Sequence, residues 1–348
     1  MSKDGRTTVY NEITSDEKMA QVCRENIALE EDFLEYLVST DRAKSTIVQY
    51  RALLHILWCW NLDENNNIPF TQMTKRQVAR FQNKAINEWG WSPNRIRMAK
   101  SVYRSLENYI ENILDDEYPN YKKIWNKIES PSVEPVRQKS IFTQDEMQNL
   151  LDYLVAHDDL KQACWLALAM YSGRRKSELV RFKVSYFDKR NLICKGSLYK
   201  TPEKVTTKGR GTRGKLLYIY TLAKPFQPYL DLWMERREEL GIETEYLFPA
   251  YKDGKYVNEP LPVSTTSSWS NKFSRVLGRP WYPHSMRHFF TTMLSQQGIP
   301  DKVIKDIVGW SSVALVDVYR DTDAEDAFEQ YFGEEGFKKV KEKDLSSL

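Results

Sequence analysis

Apolar residues recur at helical spacing through the first third of the chain. Ile27, Phe33, Leu34 and Leu37 mark a first helix. Ile47, Tyr50, Leu53, Leu54, Leu57 and Trp58 line one face of a second, with Lys44-Ser45-Thr46 as its cap. The run Asp63-Glu64-Asn65-Asn66-Asn67, closed by Pro69, reads as a loop. Thr74 opens a third helix through Val78, Phe81 and Ile86. Ser92-Pro93 sets proline at the first position of a fourth, which carries Ile96, Val102, Tyr103, Leu106 and Ile110. Four or five such helices predict an all-helical domain over residues 22–116. Residues 1–21 are polar and turn-rich, and are expected to form a flexible N-terminus.

The pattern breaks over residues 117–139. Pro119, Pro131 and Pro135 punctuate this stretch, with Lys122, Lys123, Lys127, Arg137 and Lys139 between them, which predicts a linker. Thr143 followed by Glu146 is a capping-box pattern, and Leu150, Leu151, Leu154 and Val155 continue that helix. Residues 163–170 are apolar all round and predict a buried helix. Strand-like pieces follow at 192–194 and 216–220. Helices return at 228–240, 268–277, 287–297, 301–308 and 324–332. The expected fold class is mainly α with a small β-sheet. An all-helical domain is followed by a mixed α+β domain over 140–335, and residues 336–348 form a C-terminal tail.

A chain of 348 residues fits two or three domains. Its 51 Lys and Arg stand against 48 Asp and Glu, so a histone-like polycation is excluded. Nucleic-acid binding is not excluded, because local patches set that footprint. No stretch approaches the roughly 18 to 20 apolar residues of a membrane span. The N-terminal residues also lack the apolar core of a signal peptide. A cytoplasmic, nucleoid-associated protein with no membrane partner is expected. Cys23, Cys59, Cys164 and Cys194 form no CxxC pair, so neither a zinc cluster nor a disulfide framework is expected.

Three stretches carry candidate chemistry. In Gly173-Arg174-Arg175-Lys176-Ser177-Glu178-Leu179, an arginine near a helix junction suits anion recognition, because guanidinium is a bidentate fork for phosphate or carboxylate. The bland alternative is a structural Arg–Glu pair. In His284-Ser285-Met286-Arg287-His288, residues 284, 287 and 288 share one helical face. Two imidazoles so spaced could bind metal, but the glutamate of HExxH is missing and Arg287 adds a cation between them. Phosphate suits the set better. Residues 195–215 hold Lys195, Lys200, Lys204, Lys208, Arg210, Arg213 and Lys215 against Glu203 alone, with Gly209, Gly211 and Gly214. They predict a basic β-hairpin able to reach a DNA backbone.

Taken together, these stretches resemble the tyrosine recombinase (phage integrase) family. Gly173, Arg175, Glu178 and Leu179 match its Gly-x-Arg-x-x-Glu-Leu box. His284, Arg287 and His288 match His-x-x-Arg-His. Val308-Gly309-Trp310 matches Leu-Gly-His/Trp, and Tyr319 follows nine residues after Trp310. Thr207-Lys208-Gly209-Arg210 best matches the lysine hairpin, with Lys200, Lys204 and Lys215 as alternatives. Position 310 departs from the commoner histidine, and an indole donates without exchanging a proton.

The resemblance implies a catalytic set of Arg175, Glu178, Lys208, His284, Arg287, His288, Trp310 and Tyr319. Tyr319 would attack the scissile phosphate, giving a 3′-phosphotyrosine, and Lys208 would protonate the 5′ leaving oxygen. Arg175, Arg287, His284 and Trp310 would stabilise charge on the phosphate, while Glu178 and His288 orient the cluster. Lys44, Arg95, Lys100, Lys200, Arg210, Arg213 and Lys215 would contact DNA. No metal and no cofactor is implied. The partners implied are double-stranded DNA with a specific core site, a homo-tetramer on two such sites, and an accessory DNA-bending or directionality factor. The implied function is a site-specific recombinase or integrase of a mobile element. The alternatives are a Xer-like resolvase, a type IB topoisomerase-like enzyme, a non-catalytic DNA-binding protein, and a metallohydrolase using His284 and His288.

Overall fold

The computed structural model describes residues 12–132, 142–207 and 214–319, together with the backbone of two short strands, Phe332–Gly333 and Gly336–Phe337. The described residues divide into two units, each with its own hydrophobic core. Of the sequence-expected helix at 324–332, residues 324–331 lie outside the described residues, and Phe332 stands in a short strand.

The first unit is helical. A single turn, α1 (Asp16–Met19), precedes α2 (Arg24–Ser39), α3 (Lys44–Glu64), α4 (Lys75–Asn87) and α5 (Pro93–Ile113). Local chemistry sets several of these ends. Thr74 and Gln77 close a reciprocal capping box on α4, and the Ser92 hydroxyl caps α5 ahead of Pro93. Helix α3 differs from expectation: Ala43 is its N-cap, no side chain caps it, and it runs on through Glu64. Its stretch from Leu53 to Asn61 is buried nearly all round. Two of the polar groups that this burial encloses are paired: the Trp58 indole donates to Glu30 Oε2 (2.7 Å), and Asn61 Nδ2 donates to the Ile68 carbonyl (2.7 Å).

The segment expected as a linker is, as far as residue 132, laid onto this unit. Trp125 is fully buried and packs 4.4 Å from the Tyr103 ring. Glu107 Oε1 accepts the backbone N–H groups of Ile124 (2.5 Å) and Trp125 (3.2 Å). Gln82 and Arg97 donate to the carbonyls of Glu129 and Pro131. Prolines and lysines signalled a surface crossing, but the apolar residues between them anchor the chain.

The second unit is built around α7 (Leu160–Ser172), which is buried along its length from Ala163 to Ser172. Around it pack α6 (Gln144–Ala156), α9 (Ala223–Glu239) and α11 (Ser285–Gln296). Thr143 and Glu146 close the capping box on α6. The remaining helices are α8 (Lys176–Leu179), α10 (Thr265–Leu277), α12 (Asp301–Val308) and α13 (Ala314–Tyr319). Strands β1 (Leu192–Ile193), β2 (Leu198–Lys200) and β5 (Tyr220–Leu222) form an antiparallel sheet in the order β1-β2-β5. Strands β3 (Val205–Thr207) and β4 (Lys215–Leu217) form a separate hairpin, with Thr207 opposite Lys215. The single strand expected over 216–220 is therefore two strands in two sheets. A third pair, β6 (Pro249–Lys252) and β7 (Lys255–Pro260), has no counterpart in the sequence reading.

Candidate active site

Helix α7 ends at Gly173, whose φ of +59° is left-handed. A Cβ there would stand 2.6 Å from Phe290 Cδ1, in the core. The two arginines that follow part company. Arg175 is partly exposed and donates from Nη1 to Glu178 Oε1 (3.0 Å), and its backbone N–H donates to Glu178 Oε2 (3.4 Å). Arg174 is 1% exposed and donates to the carbonyls of Ile307 (2.6 Å) and Val308 (3.3 Å).

Helix α11 supplies the second group. His284 precedes it, and the apolar face of Met286, Phe289, Phe290 and Leu294 buries it. Arg287 is thereby drawn inward to 1% exposure, donating to the carbonyls of Gly173 (3.0 Å) and Val308 (3.2 Å). Its Nε–H is buried with no acceptor among the described residues. Burial first, then the neighbouring Arg175 and Arg174 guanidiniums, push its pKa down to about 9. A guanidinium keeps its charge in proteins. The depression therefore marks an electrostatic setting that an anion would relieve.

Helix α12 ends at Gly309 (φ +77°), and Trp310 follows, 6% exposed. Tyr319 closes α13 within reach of every other member of this group. Its Oη lies 3.0 Å from His284 Nε2. Its ring centroid stands 4.5 Å from the ring of His288, 4.8 Å from that of Trp310 and 5.8 Å from the Arg287 guanidinium carbon. Four side chains, from the start of α11, from α11 itself and from the turn after α12, thus gather around Tyr319. Arg175 reaches the group electrostatically through Arg287.

The basic hairpin enters from β3 and β4. Thr207 is buried and its hydroxyl donates to the Lys215 carbonyl (2.9 Å), fixing the register at the root. Leu217 of β4 lies against Gly309, where an added Cβ would stand 2.7 Å from Leu217 Cδ1. Lys208, Arg210 and Arg213 lie outside the described residues. Among the alternative lysines, Lys215 is exposed, and Lys200 and Lys204 sit over the Tyr218 ring at 4.2 and 5.9 Å.

In the first unit, Lys44 is exposed at the start of α3, and Arg95 is half-buried with its guanidinium 4.5 Å over the Trp91 ring. Lys100 departs from expectation. It is 6% exposed, and its ammonium donates to the Ile128 carbonyl and to Gln82 Oε1. It tethers the segment after α5 from within the unit. Helical spacing gave its position on α5 but not what covers that face. Arg174 went without a role in the sequence reading, since its neighbour fills the motif and nothing local distinguishes the buried arginine of the pair. Among the described residues, no three His, Cys, Asp or Glu side chains gather into a set that could hold a metal ion. No described helix is long and apolar enough to cross a membrane.

The family model described as "Phage integrase family" matches residues 140–326. The SPbeta prophage-derived recombinase-like protein YomM of Bacillus subtilis (strain 168) is 30% identical over 282 residues, covering 79% of this chain and 80% of that protein. Among solved structures, the Tn1549 transposon integrase (residues 82–397) in complex with circular intermediate DNA has a TM-score of 0.60 at 16% identity, over 86% of this chain and 98% of the other. A lambda integrase tetramer bound to a Holliday junction has a TM-score of 0.60 at 16% identity, over 84% of this chain and 76% of the other. At these identities the two structures show a shared fold.

Proposed function

The chain belongs to the phage integrase family, and on that premise we propose that it is a site-specific DNA recombinase, serving a mobile element, that cleaves and rejoins DNA through a 3′-phosphotyrosine intermediate. The observation that carries this reading is the hydrogen bond between Tyr319 Oη and His284 Nε2 at 3.0 Å, with Arg287, His288 and Trp310 around it.

A phenol ordinarily ionises near pH ~10, so attack at neutral pH needs help. In this reading Tyr319 Oη bonds to the scissile phosphorus while His284 Nε2 takes its proton. Charge accumulating on the non-bridging oxygens meets Arg175, the inward-facing Arg287 and the Trp310 indole N–H. An incoming phosphate oxygen would satisfy the buried Arg287 Nε–H. The bond from phosphorus to the 5′ oxygen breaks, and Lys208, next to Thr207 in sequence, protonates that oxygen. Rejoining reverses these steps, because the phosphotyrosine ester preserves the energy of the broken bond. Glu178 holds Arg175, and the His288 ring lies tilted beside Tyr319.

Residues 22–116 are proposed as the DNA-binding domain for the core site and residues 140–335 as the catalytic domain. The proposed partners are double-stranded DNA carrying that site and three further copies of this chain on two such sites. The lambda integrase neighbour is itself a tetramer on a Holliday junction.

The test is a nicked suicide substrate carrying the cognate site. The wild-type chain should trap a covalent adduct at a 3′ phosphate, and proteolysis should leave DNA joined to the peptide containing residue 319. Tyr319→Phe should bind the same DNA and form no adduct. An adduct at a 5′ phosphate, or on another residue, would overturn the reading.

A further inference from the structure

Two guanidiniums, not one, close on the end of α12. Its last carbonyls have no partner within the helix, as at every helix C-terminus. Here the Val308 carbonyl is shared between Arg287 Nη2 (3.2 Å) and Arg174 Nη1 (3.3 Å), and the Ile307 carbonyl accepts from Arg174 Nη2 (2.6 Å). The next residue, Gly309, is left-handed and lies so close that an added Cβ would stand 3.3 Å from Arg174 Nη1. The residue after that is Trp310, whose ring lies 4.8 Å from Tyr319 and 5.0 Å from the Arg287 guanidinium.

We propose that Arg174 is a positioning residue for the cleavage reaction: by capping α12 from the α7–α8 junction, it fixes the 308–310 turn, and through that turn the seat of Trp310 and Tyr319. Its placement follows from the fold. Gly173 lets the chain turn sharply, so one arginine goes into the core beneath the turn while the next stays at the partly exposed site beside Glu178. Arg174 also sets a buried cation behind Arg287, adding to the positive field that a phosphate would meet. It touches neither the phenol nor any proposed substrate position, so its effect runs through Trp310 and the backbone.

This inference rests on the recombinase reading only for its kinetic arm. The first arm is ¹⁹F NMR of the full chain labelled with 5-fluorotryptophan, with the Trp310 resonance assigned by its loss in Trp310→Phe. Arg174→Met should shift or split that resonance. Arg174→Lys, which keeps the charge but reaches fewer carbonyls, should move it less. Arg237 supplies the control. It is 3% exposed and donates to the carbonyls of Ile242, Thr244, Tyr246 and Leu247, far along the chain from the site residues. Arg237→Met should lower thermal stability and leave the Trp310 resonance unmoved.

The second arm is single-turnover adduct formation at saturating DNA, at a temperature where each variant is folded. Arg174→Met should slow it by about 10²-fold and Arg174→Lys by about 10-fold, with DNA affinity close to wild type. A wild-type resonance and rate in Arg174→Met would overturn the proposal, as would an equal loss of rate in Arg237→Met. If Arg174→Met does not fold, a wild-type resonance in Arg174→Lys overturns it. A wild-type chain that forms no adduct at Tyr319 would sink the recombinase reading instead, with the resonance still deciding the role of Arg174.

Discussion

Tyr319 Oη and His284 Nε2 are joined by a hydrogen bond of 3.0 Å between residues 35 positions apart in the chain. The bond links the short α13 to the start of α11, so the proposed nucleophile is oriented by a side chain that stands outside the core. Because His284 is exposed, its removal should leave the fold intact. His284→Ala is expected to slow adduct formation by about 10²-fold while DNA affinity stays near wild type. Added imidazole should restore part of the rate. Unchanged cleavage, or a loss explained wholly by weaker binding, would remove His284 from the mechanism.

Gly173 has a different kind of importance. Alanine there needs a left-handed backbone and a Cβ 2.6 Å from a ring carbon of Phe290, which is fully buried. Neither demand can be met by rotating a flexible side chain. Backbone strain and overpacking together should cost about 2 to 4 kcal/mol. Calorimetry of Gly173→Ala should show a melting temperature lowered by roughly 5 to 10 °C. A variant that melts with the wild type would mean that Phe290 repacks freely.

Much of this architecture is legible locally. Thr74 with Gln77 and Thr143 with Glu146 announce helix starts because a capping box is made within four residues of chain. The site motifs are legible for a related reason: each lies in a stretch of a few residues on one turn or one helix. What escapes is tertiary. Nothing near Lys100 says that the segment after α5 will fold back over it. Pro228 suggests a helix start, yet α9 begins at Ala223 and carries that proline inside it. The β6–β7 hairpin is short and mostly exposed, so its alternation of apolar and polar residues is weak. Arg174 and Arg175 differ by one position and take opposite fates, set by a carbonyl pair more than 130 residues away.

The fold-back of the segment after α5 should have a pH signature. Glu107 is fully buried, and burial raises its pKa above the ordinary 4.5 despite the N–H groups of Ile124 and Trp125 and the Tyr121 hydroxyl. A raised folded-state value favours the protonated carboxyl in the native protein. The linked stability is fully present below pH 4.5 and is lost as pH rises through the folded value. Glu107→Gln keeps an acceptor oxygen but carries no charge. Its urea midpoint should exceed that of wild type at neutral pH, and the difference should shrink towards pH 4.5. Parallel midpoint curves for the two proteins would show that Glu107 does not titrate in this way.

Lys44 and Lys100 should behave as different classes of lysine. Lys44 is exposed, so if it contacts a DNA phosphate, Lys44→Ala should weaken binding to all sequences and lower the salt slope by about 1. Lys100→Met should leave that slope unchanged and lower thermal stability, because it removes the donor to the Ile128 carbonyl. A reduced salt slope in Lys100→Met would return that residue to the DNA interface.

The leaving group offers the sharpest separation of roles in the proposed mechanism. Thr207 and Lys215 fix the root of the β3–β4 hairpin, and Lys208 follows Thr207 directly in sequence. If Lys208 supplies the proton to the departing 5′ oxygen, Lys208→Ala should slow cleavage by about 10² to 10⁴ while scarcely changing affinity. A substrate with sulfur at the bridging 5′ position leaves as a thiolate, which needs no proton, so Lys208→Ala should cleave it at close to the wild-type rate. His284→Ala should not be rescued by the same substrate, because its defect lies with the attacking oxygen. The measurement is single-turnover adduct formation with the oxygen and sulfur substrates in parallel. Rescue of Lys200→Ala, Lys204→Ala or Lys215→Ala, but not of Lys208→Ala, would move the general acid to that lysine. Rescue of none of them would mean that the leaving oxygen takes its proton from another source.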